Sequence, residues 1–147
     1  MKSKLIHETS GQRTFVIVLS TGDEVMSCLN NFAAEASLTA ASLNAIGAFR
    51  SAELSYFDWE AKKYLPIPVD EQVEVASLTG DIASGEHGKP AIHIHAVLGT
   101  RDGRALAGHL SKAIVRPALE IILTESPAHL RKRHDAESGL SLIDLSA

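Results

Sequence analysis

A succession of strand-like segments is the feature that most constrains the fold of this 147-residue chain. The segments are short, rich in β-branched and other apolar residues, and bounded by turn-forming residues, as strands joined by turns are. Helical pattern is scarce after residue 38, so we predict a largely antiparallel sheet. Besides the stretch around residues 91–110, the segments are residues 13–20, 41–49, 52–59, 72–82, 118–125 and 140–145.

One amphipathic helix is predicted ahead of most of these strands. Apolar residues recur at helical period over residues 22–37, and Thr21 and Glu24 have the spacing of a capping box. A chain of this length suits one hydrophobic core. We therefore predict an α+β fold in a single domain, residues 1–147, in which helices cover one face of the sheet.

Composition restricts the partners and the kinds of site. The chain has 14 basic and 18 acidic side chains, so no overall positive excess attracts nucleic acid. The basic run at residues 129–134 is predicted to be a solvated face or a helix end, with phosphate contact as the alternative. Because Cys28 is the single cysteine, a metal site must use histidines and carboxylates. No apolar run is long enough for a membrane span or a signal-peptide core, so we expect a cytoplasmic protein.

Three of the seven histidines surround one turn, in the stretch "HIHAVLGTRDGRALAGHL". His93 and His95 are two residues apart on a predicted strand and must share a face. The position of His109 depends on the turn, because a shift of one residue moves every side chain of the returning strand to the opposite face. A two-residue turn at Asp102 and Gly103 separates His109 from the pair. A three-residue loop with a bulge at Gly103 places His109 opposite His95.

Local chemistry leaves both turns open, but a metal favours the second. Neutral imidazoles bind a divalent ion, zinc above all, whereas three imidazoles without one gain nothing by converging. Three histidines leave at least one coordination position for water, a small ligand or a carboxylate. Exposed or structural hairpin histidines are the alternative reading. Glu74 and Glu120 are the candidate orienting or acid/base carboxylates, unless they are only sheet-edge or interface charges.

The aromatic residues are concentrated in one short segment. Tyr56, Phe57, Trp59 and Tyr64 lie within "YFDWEAKKYLP". We predict sheet core or a subunit contact for them, with stacking on a flat ligand as the alternative.

The order of the motifs resembles a known family. The chain contains "STGDEVMSCLNNFAAEASLTAASLNAIGAF", then "VEVASLTGDI", then "GKPAIHIHAVLGTRDGRALAGHL" and "RPALEIIL". Over roughly residues 13–125 it is similar to the plants-and-prokaryotes-conserved (PPC) domain, which occurs with AT-hooks in plant DNA-binding proteins. The resemblance implies an antiparallel sheet packed with helices, a homotrimer, and a metal site at the positions of His93, His95 and His109. It also implies a topology similar to acetolactate decarboxylase and a human ester hydrolase, both of which hold zinc through H-x-H and a later histidine.

Two functions from different classes follow from these observations. The first is a trimeric, metal-binding regulatory or interaction module, which could contact DNA through partners or through residues 131–133. The AT-hook core Arg-Gly-Arg-Pro is absent from the chain, so direct DNA binding has little support in the sequence. The second is a small zinc enzyme, a decarboxylase or ester hydrolase, with a small-molecule ligand at the metal and Glu74 or Glu120 moving protons.

Overall fold

One sheet of nine strands and one α-helix form over the residues that the structure, a computed structural model, describes: 1–85 and 88–146. The helix, α1, spans Val25–Glu35. The strands are β1 (Lys2–Thr9), β2 (Gln12–Ser20), β3 (Ala40–Asp58), β4 (Lys63–Val69), β5 (Val73–Ser84), β6 (Pro90–Gly99), β7 (Ala105–Glu125), β8 (Arg131–His134) and β9 (Ser141–Asp144).

Two long strands organise the sheet. The order is β1-β2-β7-β3-β5-β8-β9, with β4 paired to β3 and β6 placed between β5 and β7. The first part of β7 pairs with β6 and the last part pairs with β2, while β3 runs beside β7 through both parts. All pairings are antiparallel except the contact of β5 with β8 at Ser84 and Arg131. The predicted single domain with a largely antiparallel sheet is therefore what the chain forms.

The prediction that helices cover one face of the sheet overstates the helical content, because α1 is the one α-helix in residues 1–85 and 88–146. It also begins later than residue 22. The Glu24 carboxylate accepts hydrogen bonds from the backbone N–H groups of Met26 and Ser27 and is the N-cap. The Thr21 hydroxyl, which the capping-box spacing singled out, instead donates to the carbonyl of Pro117.

The core lies between α1 and the inner face of the sheet. Period-two alternation sends one set of strand side chains inward, and their burial is the main favourable term in folding. The fully buried side chains include Phe49, Ile17, Leu19, Leu29, Leu54, Leu78, Ile94 and Leu110. The other face of the sheet carries the histidines, with Ile94 between His93 and His95 anchoring β6 to the core.

Segments predicted as separate strands are continuous in the structure. Residues 41–49 and all but the last residue of 52–59 fall in β3, which is interrupted by a bulge beside Gly47. A Cβ at Gly47 would lie 2.3 Å from the carbonyl oxygen of Ala118, so β7 comes too close for any side chain there. Strands β1, β4 and β8 were not predicted, and β8 is formed by part of the basic run at 129–134.

Candidate functional site: a histidine cluster

The turn between β6 and β7 is the three-residue loop. The N–H of Thr100 donates to the carbonyl of Arg104 at 2.9 Å, which closes the hairpin around Arg101, Asp102 and Gly103. Gly103 has φ +82°, the left-handed conformation that glycine adopts without steric cost. With this loop His95 pairs with His109 across the two strands, as the bulged alternative predicted.

The three imidazole rings converge on the outer face of the sheet. The ring centroids of His93, His95 and His109 are 5.0, 5.2 and 5.6 Å apart, so they form a nearly equilateral triangle. Each ring offers a nitrogen within 4.8 Å of the others.

The nitrogens of the cluster suit a metal ion. The Nε2 atoms of His93 and His95 are 3.2 Å apart, close to the separation of about 3.3 Å between two nitrogens that share a tetrahedral zinc. Nδ1 of His109 is buried, with no hydrogen-bond partner in residues 1–85 and 88–146. Buried polar atoms are normally satisfied. The donor set and this orphaned nitrogen fit a divalent ion.

The surroundings favour the neutral form of His109 and of His93. Burial, followed by the charges of His93, His95 and Lys132, lowers the pKa of His109 to about 4. Burial and the charge of Lys132 also lower the pKa of His93, against the opposing effect of Asp81. Metal binding requires neutral imidazole. His109 and His93 can therefore bind a metal at neutral pH without first losing a proton.

An acidic and a basic side chain stand behind His93. Oδ2 of Asp81 lies 3.6 Å from Nδ1 of His93, and its other oxygen lies 2.6 Å from Nζ of Lys132. A carboxylate behind a metal-binding histidine fixes the orientation of the ring. Sequence reasoning missed both residues. Asp81 pairs with His93 only through the β5–β6 register, which the sequence does not specify. Lys132 lies within a basic run, and such runs are typical of a solvated surface.

The hairpin of β8 and β9 forms one wall of a cavity of about 210 Å³ beside the cluster. Tyr64, from the predicted aromatic segment, lies against His109 with its ring centroid 4.7 Å away, and burial raises the pKa of its hydroxyl. The cavity is lined by Tyr64, Ala91, Ile92, His93, His109, Lys132, Leu140, Ser141 and Leu142.

Glu74 and Glu120 are placed together, but away from the histidines. Both line a different cavity, of about 560 Å³, near the bulge of β3. Glu74 pairs with Gly99, four residues along β6 from His95, which is about 13 Å of extended strand. Glu120 is eleven residues along β7 from His109 and lines the same cavity as Glu74. The expectation that they act beside the three histidines has no support from this arrangement.

The basic run presents less free positive charge than its sequence indicates. Arg131 is exposed, Lys132 is buried, and Nε of Arg133 lies 3.2 Å from a carboxylate oxygen of Asp144. Alternation along β8 causes this, because neighbouring side chains on a strand point to opposite faces.

Comparison with known families identifies the chain. The profile of the Plants and Prokaryotes Conserved (PCC) domain matches residues 6–127. This is the PPC domain that the sequence motifs resemble. The chain belongs to this family. The PCC domain thus includes β2 to β7 and all three clustered histidines, while β8 and β9 lie after the matched segment. No curated protein sequence matches the chain significantly.

Solved structures agree with this assignment. A metal-containing protein from Archaeoglobus fulgidus is 33% identical, with 97% of this chain and 99% of that chain covered and a TM-score of 0.83. A candidate DNA-binding protein from Bacteroides thetaiotaomicron is 28% identical, with 96% of each chain covered and a TM-score of 0.85.

The expected similarity to acetolactate decarboxylase is confirmed for the fold alone. The enzyme from Bacillus subtilis is 10% identical, with 76% of this chain and 51% of that chain covered and a TM-score of 0.53.

No helix in the described part of the chain is long and apolar enough to cross a bilayer.

Proposed function

We propose that this PCC-domain protein binds a divalent metal ion, zinc in preference to others, through His93, His95 and His109, and works as a regulatory or interaction module. The convergence of the three imidazoles from both arms of one hairpin carries the proposal. The metal-containing relative from Archaeoglobus fulgidus supports it. Nitrogen ligands with an open position suit zinc.

The surroundings favour binding over turnover. A zinc hydrolase or decarboxylase needs a group that accepts and donates protons beside the metal. Glu74 and Glu120 line the other cavity. Asp81, the acidic side chain that contacts the cluster within residues 1–85 and 88–146, already faces Lys132 and His93.

Metal content tests the proposed site. We expect the wild-type protein, purified without chelator, to hold about one metal ion per chain. His95→Ala and His109→Ala remove one nitrogen each and should lose most of the metal while remaining folded by circular dichroism. His7→Ala is the matched control, because His7 is exposed on β1. Full metal in both cluster variants would reject these ligands.

A zinc enzyme acting on small carbonyl compounds is the second candidate. The cavity beside His93 and His109 favours it, because a concave space next to an open metal position could hold a substrate. Glu74→Gln and Glu120→Gln test the predicted proton carriers. Zinc-loaded protein should hydrolyse simple esters or decarboxylate 2-oxo or 3-oxo acids, with turnover that the cluster variants lack. Absence of turnover by zinc-loaded wild type on these substrates counts against the enzyme.

We propose a homotrimer as the assembly. The outer face of the sheet exposes Ile46 (63%), Ile122 (40%) and Val97 (37%), and such apolar surface marks contact sites. Light scattering after size exclusion should give three times the 15.7 kDa of one chain. Ile46→Arg places a charge on this face and should lower the mass. A wild-type mass of one chain would refute the assembly.

We propose the surface of β8 as the place to test for direct DNA contact. The Bacteroides relative motivates the test, and Arg131 is the exposed, unpaired arginine of the described basic run. A mobility assay with duplex DNA across salt concentrations should show affinity falling with salt and weakened by Arg131→Ala. Binding that does not respond to salt would not be phosphate-driven.

A further inference from the structure

We propose that the cavity beside the histidines binds a small, apolar carboxylate anion, with one carboxylate oxygen at the metal and the other recognised by Lys132. The inference rests on the metal site proposed above. It adds the chemical class of the ligand and a residue that selects it.

Lys132 is a buried ammonium group that lines the cavity. Its side chain is 5% exposed, although Arg131 and Arg133 on either side of it face solvent. Burying a lysine is costly unless the charge has partners. Asp81, at 2.6 Å, is the acidic partner of Nζ in residues 1–85 and 88–146. An ammonium has three N–H donors, so donors remain for a ligand oxygen.

The charge balance of the site calls for an anion. The neutral imidazoles contribute no charge, and Lys132 and Asp81 offset each other. A bound divalent ion therefore leaves about two positive charges that the surrounding groups do not compensate. Asp81 does not line the cavity, and none of the described lining residues is acidic. A negatively charged ligand is favoured there and a cation is disfavoured.

The walls favour a ligand with a short apolar body. The apolar side chains of Ile92, Leu140 and Leu142 and the ring of Tyr64 line the cavity together with Lys132. The volume of about 210 Å³ is small for a ligand site, below the usual range of about 300–1,000 Å³. A carboxylate bears two oxygens on one carbon, which suits one metal position and one ammonium. A fully hydrated inorganic phosphate would leave the apolar walls unfilled.

The hairpin of β8 and β9 supplies the residues that we propose select the carboxylate ligand. Lys132, Leu140, Ser141 and Leu142 all come from residues after 127, beyond the segment that the family profile matches. The histidines, by contrast, lie within that segment. We therefore assign ligand selection to the hairpin and metal binding to the matched domain.

Cobalt(II) in place of zinc gives a visible spectrum that reports on ligands at the metal. Cobalt content is measured first. Butyrate is then titrated into the cobalt protein, with butyramide as the uncharged match and inorganic phosphate as a third probe. We expect saturable spectral change with butyrate, and binding at least about tenfold weaker for butyramide and for phosphate, because the amide lacks the charge that strengthens the bond to Lys132.

Lys132→Met keeps the unbranched stem of the side chain and removes the charged Nζ. We expect it to retain cobalt and to bind butyrate at least about tenfold more weakly. Arg131→Met, its exposed neighbour on the same strand, should stay within about twofold of wild type. Asp81→Asn combined with Lys132→Met removes both charges if the single variant does not fold.

The outcomes separate the two proposals. Wild-type protein that takes up no cobalt would overturn the metal site, and the anion site with it. Cobalt-loaded wild type that binds butyramide as well as butyrate, or phosphate more tightly than butyrate, would overturn the carboxylate assignment alone. Unchanged butyrate affinity in Lys132→Met would remove Lys132 from recognition and leave the metal site standing.

Discussion

The depressed pKa of His109 predicts how the stability of the metal-free protein depends on pH. In the folded chain its pKa is about 4, while an unperturbed histidine titrates near 6.5. At pH values between these two, the His109 imidazole is protonated in the unfolded chain but stays neutral in the folded chain. The sign follows directly: the free energy of unfolding must fall as the pH drops from about 6.5 towards 4.

The size of this effect can be worked from the shift. Undiscounted, linkage gives a loss of about 2 kcal/mol between pH 7 and pH 5. His109 is half-buried, and solvent screens part of the interaction, so we expect about 1 kcal/mol. His109→Gln removes the titrating group and should remove this loss.

Urea unfolding at pH 7 and pH 5, with chelator present, measures the difference for both proteins. The wild type should lose about 1 kcal/mol more than His109→Gln over this interval. His7→Gln is the control, because an exposed histidine on β1 should not change the wild-type dependence. Identical pH dependence in the wild type and His109→Gln would refute the electrostatic reasoning for the cluster.

Two further variants test how the fold holds the site. Gly80→Ala should destabilise the protein by about 2–3 kcal/mol and weaken metal binding, because its Cβ would lie 2.2 Å from the carbonyl oxygen of His93. Gly99→Ala on the adjacent strand is the control. Its Cβ would lie 3.8 Å from the Cβ of Glu74, an ordinary contact, so the free energy of unfolding should fall much less. Equal melting temperatures for these two alanine variants would contradict the close approach of β5 and β6. Glu24→Ala removes the cap of α1 and the hydrogen bond from the N–H of Ala113, and should lower the free energy of unfolding by about 1–2 kcal/mol in urea titrations. A decrease smaller than about 0.3 kcal/mol would show that Glu24 does not stabilise the helix as an N-cap.

The sequence predicted the histidine cluster as one of two possibilities, and long-range pairing decides between them. Asp before Gly suits both turns, so residues 100–104 alone could not choose. In the structure β7 also pairs with β3, where His109 lies opposite Ser55. That second neighbour holds the register of β7, and sequence patterns around the turn do not contain it.

Glu74 and Glu120 show that two residues can share a face of the sheet and still lie far apart along the strands. In the structure Glu74 lies on the same outer face as His93 and His95, and Glu120 is likewise exposed on β7. Alternation says nothing about how far along the strand two residues meet. The register separates Glu74 from His95 by four residues, and this register depends on a bulge between Val75 and Ser77 that has no sequence signal.

Lys132 and the helix start illustrate competition between local and tertiary interactions. A basic run is typical of a solvated surface, yet pairing with Asp81 buries the middle side chain. Thr21 has the spacing of a cap, but its hydroxyl binds the carbonyl of Pro117, and Glu24 takes the capping role. In both cases a distant partner outweighs the local preference.

The central claim, that both arms of the β6–β7 hairpin supply ligands to one metal ion, is tested most directly by anomalous diffraction. Crystals of protein purified without chelator and measured on both sides of the zinc absorption edge should show one peak at bonding distance, about 2.0–2.1 Å, from a nitrogen of each of His93, His95 and His109. A peak elsewhere in the molecule, or a His109 ring turned away from the other two, would contradict the claim.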